Sequence, residues 1–248
     1  MRFRTDEEPD PTEERPFWRQ PAWQLSAVFV LLVLLAGIVT VVIGLPDSRE
    51  HDSTRTAKGP LTTPLTDGAT RPPGCVTDDR DQQPPSQPSD DITWRPLNGT
   101  KIPLSPSAGP LQQHGTMLWC FAHTPMGAVM AANIIPRHMS GADWRQVTEQ
   151  QVVADTQREV FVARRSSITT TTVQYTANSP AGFMVVAYSP ESATVRLLIR
   201  QPGAEYVATD LTLAWDNGDW KLQVLSGGEL YTAVRPVAAT TGFVLWKV

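Results

Sequence analysis

Residues 211–222 read LTLAWDNGDWKL, and the DNGD at their centre is a metal loop, an acid cluster or a turn. Counting outward from Asn217-Gly218 decides for the turn. A two-residue Asn-Gly loop is the strongest short hairpin signal, because both central residues must take positive φ. The register it predicts sets Asp216 opposite Asp219, Trp215 opposite Trp220, Leu213 opposite Leu222 and Leu211 opposite Val224. Side chains alternate along a strand, so the two Trp and the apolar pairs share one face. Asp210, Asp216 and Asp219 are expected away from the Trp side. A calcium loop would need oxygen ligands at alternate positions, ending in a Glu, and this stretch lacks them.

The same strand texture continues on both sides. ITTTTVQY (168–175), GFMVVAYS (182–189), ATVRLLIR (193–200) and AEYVATDLTLAW (204–215) precede the turn. They are rich in β-branched and aromatic residues and are separated by Ser-Pro or Gly signals. DWKLQVL (219–225) follows it, and GFVLW (242–246) closes the chain as a weak last segment.

Upstream the period changes to helical. Thr124 is a candidate N-cap with Pro125 at the first helical position, and Pro136 is expected to stop that helix. From Met126 to Ile135 no side chain is charged, so the helix must be buried on every side and is too short to span a bilayer. A second helix is expected from Asp143, with Gln146 in a capping-box-like pair, running through WRQVTEQQVVADTQREVFVARR. Its stripe of Trp144, Val147, Val153, Ala154, Val160 and Phe161 leaves the opposite side polar. Helices first and an antiparallel meander after describe an α+β fold, with helices packed on one concave face of the sheet.

The first half of the chain is built differently. Residues 21–45 carry no charge and include AWQLSAVFVLLVLLAGIVTVVIGL, enough to cross a hydrocarbon core of about 30 Å. The run is longer than a signal-peptide core and ends in Leu45-Pro46 without a small-residue cleavage site. It is expected to be a transmembrane helix. Arg2, Arg4, Arg15 and Arg19 before it point to a cytoplasmic N-terminus and an extracytoplasmic C-terminal domain. Residues 1–20 are expected as a disordered cytoplasmic tail, 46–74 as a Pro/Thr-rich linker, 75–116 as an extended Pro-rich arm, and 117–248 as the α+β domain.

Chemistry-bearing residues are few. Cys75 and Cys120 flank the arm, and an exported domain would join them; two free buried thiols are the alternative. Cys120 with His114 or His123 as base and Asp143 as orienter would make a nucleophile set, but spacing shows no hydrogen-bond reach and Trp119 and Phe121 give the thiol an apolar setting. His114, Cys120, His123 and His138 fit no tight metal-ligand pair. Arg164-Arg165 at a helix end complements the helix dipole or meets an acidic partner. The net charge of −4 gives no reason to expect direct nucleic-acid binding.

The run CFAHTPMGAVMAA (120–132), with SPSAGP (105–110) and GFVLW (242–246), resembles an actinobacterial family of uncharacterised single-pass membrane proteins. Some of its members are encoded in integrative conjugative elements, and the likeness covers most of residues 70–248. The layout of span, linker, helices and curved sheet is similar to scaffold subunits of conjugation and type IV secretion machines. Their outer domains have the nuclear-transport-factor-like cone fold, whose W-x-x-G-x-W-K/R-[VIL] hairpin is matched loosely by Trp215, Gly218, Trp220, Lys221 and Leu222. The arm at 75–116 is a departure from that fold. One span, one exported-looking fold and no assembled catalytic set lead to the expectation of a non-enzymatic, membrane-anchored scaffold with no cofactor, which self-associates or binds other envelope proteins. The architectural similarity adds a DNA-transfer setting by analogy. The rival expectation is a small-ligand sensor with a pocket lined by Met126, Met130, Tyr188, Trp215 and Trp220. A third, an enzyme, would require an interior carboxylate or thiol with a perturbed pKa.

Overall fold

The computed structural model describes residues 59–168 and 178–247. The expected tail, the span at 21–45, the linker up to residue 58 and most of the ITTTTVQY strand lie outside the described residues. Among the described residues no helix is long and apolar enough to cross a membrane.

The fold is α+β. Two short hairpins come first: β1 (Thr93–Leu97) with β2 (Thr100–Leu104), and β3 (Gln112–His114) with β4 (Met117–Trp119). Three helices follow, α1 (Pro125–His138), α2 (Trp144–Gln151) and α3 (Thr156–Ser167). The main sheet then forms from β5 (Ser179–Ser189), β6 (Ser192–Arg200), β7 (Tyr206–Asp216), β8 (Asp219–Gln223), β9 (Arg235–Val237) and β10 (Val244–Leu245). Its strand order is β10-β5-β6-β7-β8, with β9 also on β7, and every pairing is antiparallel.

The β7–β8 hairpin has the register expected of its turn: Asp216 faces Asp219, Trp215 faces Trp220, and Leu213 faces Leu222. Asn217 and Gly218 take φ of 51° and 79°, the left-handed geometry that matches the twist of the strands. Glycine is needed at 218 for a second reason. A Cβ there would stand 2.8 Å from Arg71 Cα, so another segment runs directly over the turn.

That segment is Gly59–Gly74, read above as linker. It packs onto the domain because Leu61, 1% exposed, brings its own polar partners. The Leu61 N–H donates to Gln150 Oε1 at 3.0 Å, and Asn217 Nδ2 donates to the Leu61 and Thr63 carbonyls, each at 2.9 Å. The arm from 75 onward is pinned at Cys75, yet from Thr93 it is hairpin rather than simple extended chain. Asn98-Gly99 makes the β1–β2 turn with positive φ at both residues, the same local signal as at 217–218.

Helix α1 lies across β5, β6, β7 and β8 and is buried from Ala128 to Ile135, as its uncharged sequence requires. The Thr124 hydroxyl caps it by accepting from the Gly127 N–H at 3.1 Å. Pro136 does not end the helix, which runs on to His138. A proline in the last turn forgoes one backbone hydrogen bond and continues the helical φ.

The single second helix expected from Asp143 is two helices. Val152 turns extended, and the Val153 N–H donates to the Leu222 carbonyl at 2.9 Å, so the chain joins the free edge of β8 before Asp155 caps α3. Two consecutive β-branched residues favour that excursion, and a sheet edge with unpaired carbonyls rewards it. Asp143 precedes α2 but makes no side-chain cap; its Oδ2 accepts from Thr116 Oγ1 at 2.7 Å instead.

Candidate functional site

The chemistry of the described domain gathers where Gly59–Gln82, the Trp119–Thr124 loop and the hairpin tip meet. Cys75 and Cys120 are joined as a disulfide, Cα to Cα 5.4 Å, and both are buried. Cys120 sits at φ 71°, a conformation that costs a non-glycine residue about 1–2 kcal/mol. It is held by its surroundings: its carbonyl accepts from the Leu111 N–H at 3.0 Å, and its N–H donates to Asp219 Oδ2 at 2.7 Å.

Asp219 was expected on the polar face of the hairpin. It is on the face away from Trp220, but that face is covered, and Asp219 is 0% exposed. Oδ1 accepts from the N–H groups of Phe121 and Trp220, each at 2.9 Å, beside the Cys120 donation to Oδ2. Burial pushes its pKa up to about 6, against the pull of the Phe121, Cys120 and Trp220 N–H groups and of the Arg71 charge. Facing Asp216 across the turn would set two like charges together. The structure avoids this by sending Asp216 outward to Lys221 Nζ at 2.8 Å.

Arg71 is the second organiser. It forks onto both Asp79 oxygens at 2.8 Å, donates to the Phe121 carbonyl at 3.1 Å, and lies 4.7 Å from the centre of the Trp215 ring. Burial raises the Asp79 carboxyl, but Arg71, Thr77 and the His123 N–H outweigh it and hold it below its ordinary range. The His123 ring stacks on Trp215 at 3.8 Å, and its Nε2 is 2.5 Å from the Pro190 carbonyl. Tyr188 OH donates to Gln82 Oε1 at 2.6 Å, while Gln82 Nε2 donates to the Asp79 and His123 carbonyls.

These contacts answer the pocket expectation residue by residue. Trp220 and Met130 are fully buried; the Trp220 N–H donates to the Ala122 carbonyl at 3.0 Å. Trp215 touches Arg71, His123 and, edge-on at 5.3 Å, Trp220, so protein groups engage its π surface. Tyr188 is tied to the arm. Met126 lines an open hollow of about 680 Å³ with Asp78, Arg80, Pro85 and Ser107.

The nucleophile set does not assemble. Cys120 has no thiol to ionise, His123 is held by Trp215 and Pro190, His114 lies in an exposed strand, and Asp143 serves Thr116. His138 ends α1, and burial, with the Arg95 charge, pushes its pKa down to about 4 despite Asp143. Among the described residues no three His, Cys, Asp or Glu side chains are grouped to hold a metal. Asp219 is an interior carboxylate with a raised pKa, which the enzyme expectation asked for. With both oxygens filled by backbone donors and no exposed surface, it has no path to a substrate.

Arg71, Asp79 and Gln82 were not singled out from sequence, and Asp219 was placed only by strand alternation. Cys75, Cys120, His123 and the two Trp were the signals near them.

A profile for a domain of unknown function, DUF8175, matches residues 55–245. The chain belongs to this family. The match takes in the Gly59–Gly74 segment, as the packing of Leu61 and Arg71 requires. No curated protein and no solved structure matches the chain.

Asp219 and His138 give the DUF8175 domain a testable pH signature. Asp219 has a folded pKa near 6 against 3.8 for the free group. Its proton therefore stabilises the fold at low pH, and roughly 3 kcal/mol is lost as pH rises from about 4 to 6. His138, near 4 against 6.5, works in the opposite sense: stability is full above about 6.5 and falls as pH drops toward 4. The two slopes oppose each other in the intact domain. In urea titrations Asp219→Asn should expose the His138 slope, gaining stability from pH 4 to 6.5 more steeply than the parent. An unchanged profile would mean that the carboxyl does not titrate in that window.

Proposed function

We propose that the protein is a non-enzymatic, membrane-anchored scaffold of a cell-envelope assembly, with a conjugative DNA-transfer apparatus as its setting. In this reading residues 21–45 are the anchor in the bilayer, the N-terminus is cytoplasmic, and the DUF8175 domain is extracytoplasmic. The domain offers its surface to other copies of itself or to other envelope proteins.

One observation carries the reading. The residues best suited to chemistry or ligand capture are spent on one another, in a brace that ties residues 71–82 to the 120–124 loop and to the sheet. A disulfide, a buried carboxylate on three N–H groups, and Arg71 across Asp79, Phe121 and Trp215 make a rigid block. Braced blocks suit assembly, where little ordering cost is left at binding. The disulfide favours an oxidising compartment, in keeping with export. The uncharged 21–45 run and the resemblance to conjugation scaffolds supply the rest.

The test is crosslinking in intact cells followed by purification of the full-length chain. Copies of itself or other membrane proteins should be captured; capture of neither would overturn the scaffold. The hollow beside Met126 favours the sensor as a second reading. Obstructing its wall with Met126→Trp should leave the captured set unchanged for a scaffold and change it for a sensor whose ligand controls assembly.

A further inference from the structure

A cluster at one end of α2 and α3 takes no part in the brace. Trp144, 9% exposed, begins α2, and two guanidiniums lie against its indole, Arg145 at 4.5 Å and Arg165 at 5.2 Å. Arg145 Nη2 also donates to Ser166 Oγ at 2.9 Å. Among the described residues neither arginine joins an ion pair. From Ser166 to Pro190 the sequence has no acidic residue, so the segment that follows α3 supplies no carboxylate. Arg164, by contrast, is spent on Glu229 and the Gly227 carbonyl. Beside the pair, Ile168 is 60% exposed.

Two cations lie against one indole and neither is in an ion pair among the described residues, so an anion has two guanidiniums to meet. The guanidinium fork matches a phosphate. Trp, Arg and an exposed aliphatic side chain together are the composition of a bilayer interface. The place where the chain joins the domain points the same way. Leu61, two residues past Gly59, donates to Gln150 at 3.0 Å, so the tether meets the domain on α2 itself. Residues 46–58 reach at most about 45 Å at full extension.

We propose that the Arg145–Trp144–Arg165 cluster docks on anionic lipid headgroups of the bilayer that holds the anchor. The proposal rests on the anchor reading above. Docking sets the orientation of the domain over the membrane, and so decides which of its faces is left for partners.

The full-length chain is reconstituted in nanodiscs of pure phosphatidylcholine and of phosphatidylcholine with phosphatidylglycerol, and amide hydrogen exchange is followed. On the anionic discs α2 and the last turn of α3 should exchange at least about fivefold more slowly, each cation near a charged leaflet being worth roughly that factor. High salt should remove the difference, as should Arg145→Gln/Arg165→Gln, whereas Arg80→Gln on the exposed arm should not. Equal exchange on the two lipids in an inserted chain would overturn the docking alone. Protection that persists in the double variant would assign it to another surface and overturn the cluster. A chain that stays outside the discs would overturn the anchor, and the docking with it.

Discussion

Asp219→Ala should destabilise the domain by at least about 3 kcal/mol at pH 7, the largest loss expected from any single side chain here. The substitution leaves the Cys120, Phe121 and Trp220 N–H groups without their carboxylate acceptor in a place water does not reach. Each orphaned buried donor costs about 1–3 kcal/mol. The damage also spreads through geometry. Cys120 is left-handed at φ 71°, and the bond to Asp219 helps hold it there. Asp219→Asn is the control. With its carbonyl at the Oδ1 position it still accepts from Phe121 and Trp220 and fails only Cys120, so it should lose about a third as much. Denaturant midpoints of the three proteins check this. An alanine variant within about 1 kcal/mol of the parent would show that the carboxylate is not the acceptor that organises the loop.

Removal of the disulfide comes next. It closes a separation of 45 residues, and in the chain-entropy model such a link restricts the unfolded chain by about 4 kcal/mol. For a domain of this size that corresponds to a fall in Tm of roughly 8–16 °C. Cys75→Ser/Cys120→Ser, compared with the oxidised parent by calorimetry, measures it. A local effect should accompany the global one. Cys75 is the covalent hold on the segment that carries Arg71, Asp79 and Gln82, so protease should cut between 59 and 92 first in the double variant. A Tm shift without early cutting there would mean that Arg71 and Leu61 hold the segment unaided. Combining the variant with Asp219→Ala should be non-additive, because both act on Cys120.

Much of the fold was legible because its signals are local. Asn217-Gly218 dictated a left-handed two-residue turn, and the period of two then determined every partner across β7 and β8. Thr124-Pro125 marked the start of α1, and the absence of charge from Met126 to Ile135 required its burial. The Asn98-Gly99 turn was equally readable, and was passed over because the surrounding prolines suggested extended chain. The break at Val152 had a local hint in two valines ahead of Asp155. What turned the hint into a break was the β8 edge, whose Leu222 carbonyl accepts from Val153.

The candidate site was mostly not legible. Alternation correctly placed Asp219 opposite the Trp face, but which face is wet is not a property of the hairpin. The partners that bury it, Cys120 and Phe121, lie 99 and 98 positions away, and Leu61 lies 156 from Asn217. Trp215 and Tyr188 looked like pocket residues for the same reason: an aromatic side chain advertises a need for contact without naming what satisfies it. By itself, then, the sequence determined the turn, the strand faces, the buried helix and the α+β class, all set by interactions within a few residues. Only the tertiary structure decided which polar face is covered, which carboxylate is desolvated and which aromatics are occupied. Those outcomes depend on chain segments that periodicity cannot connect, brought together by burial and by the demand that buried backbone N–H groups find acceptors.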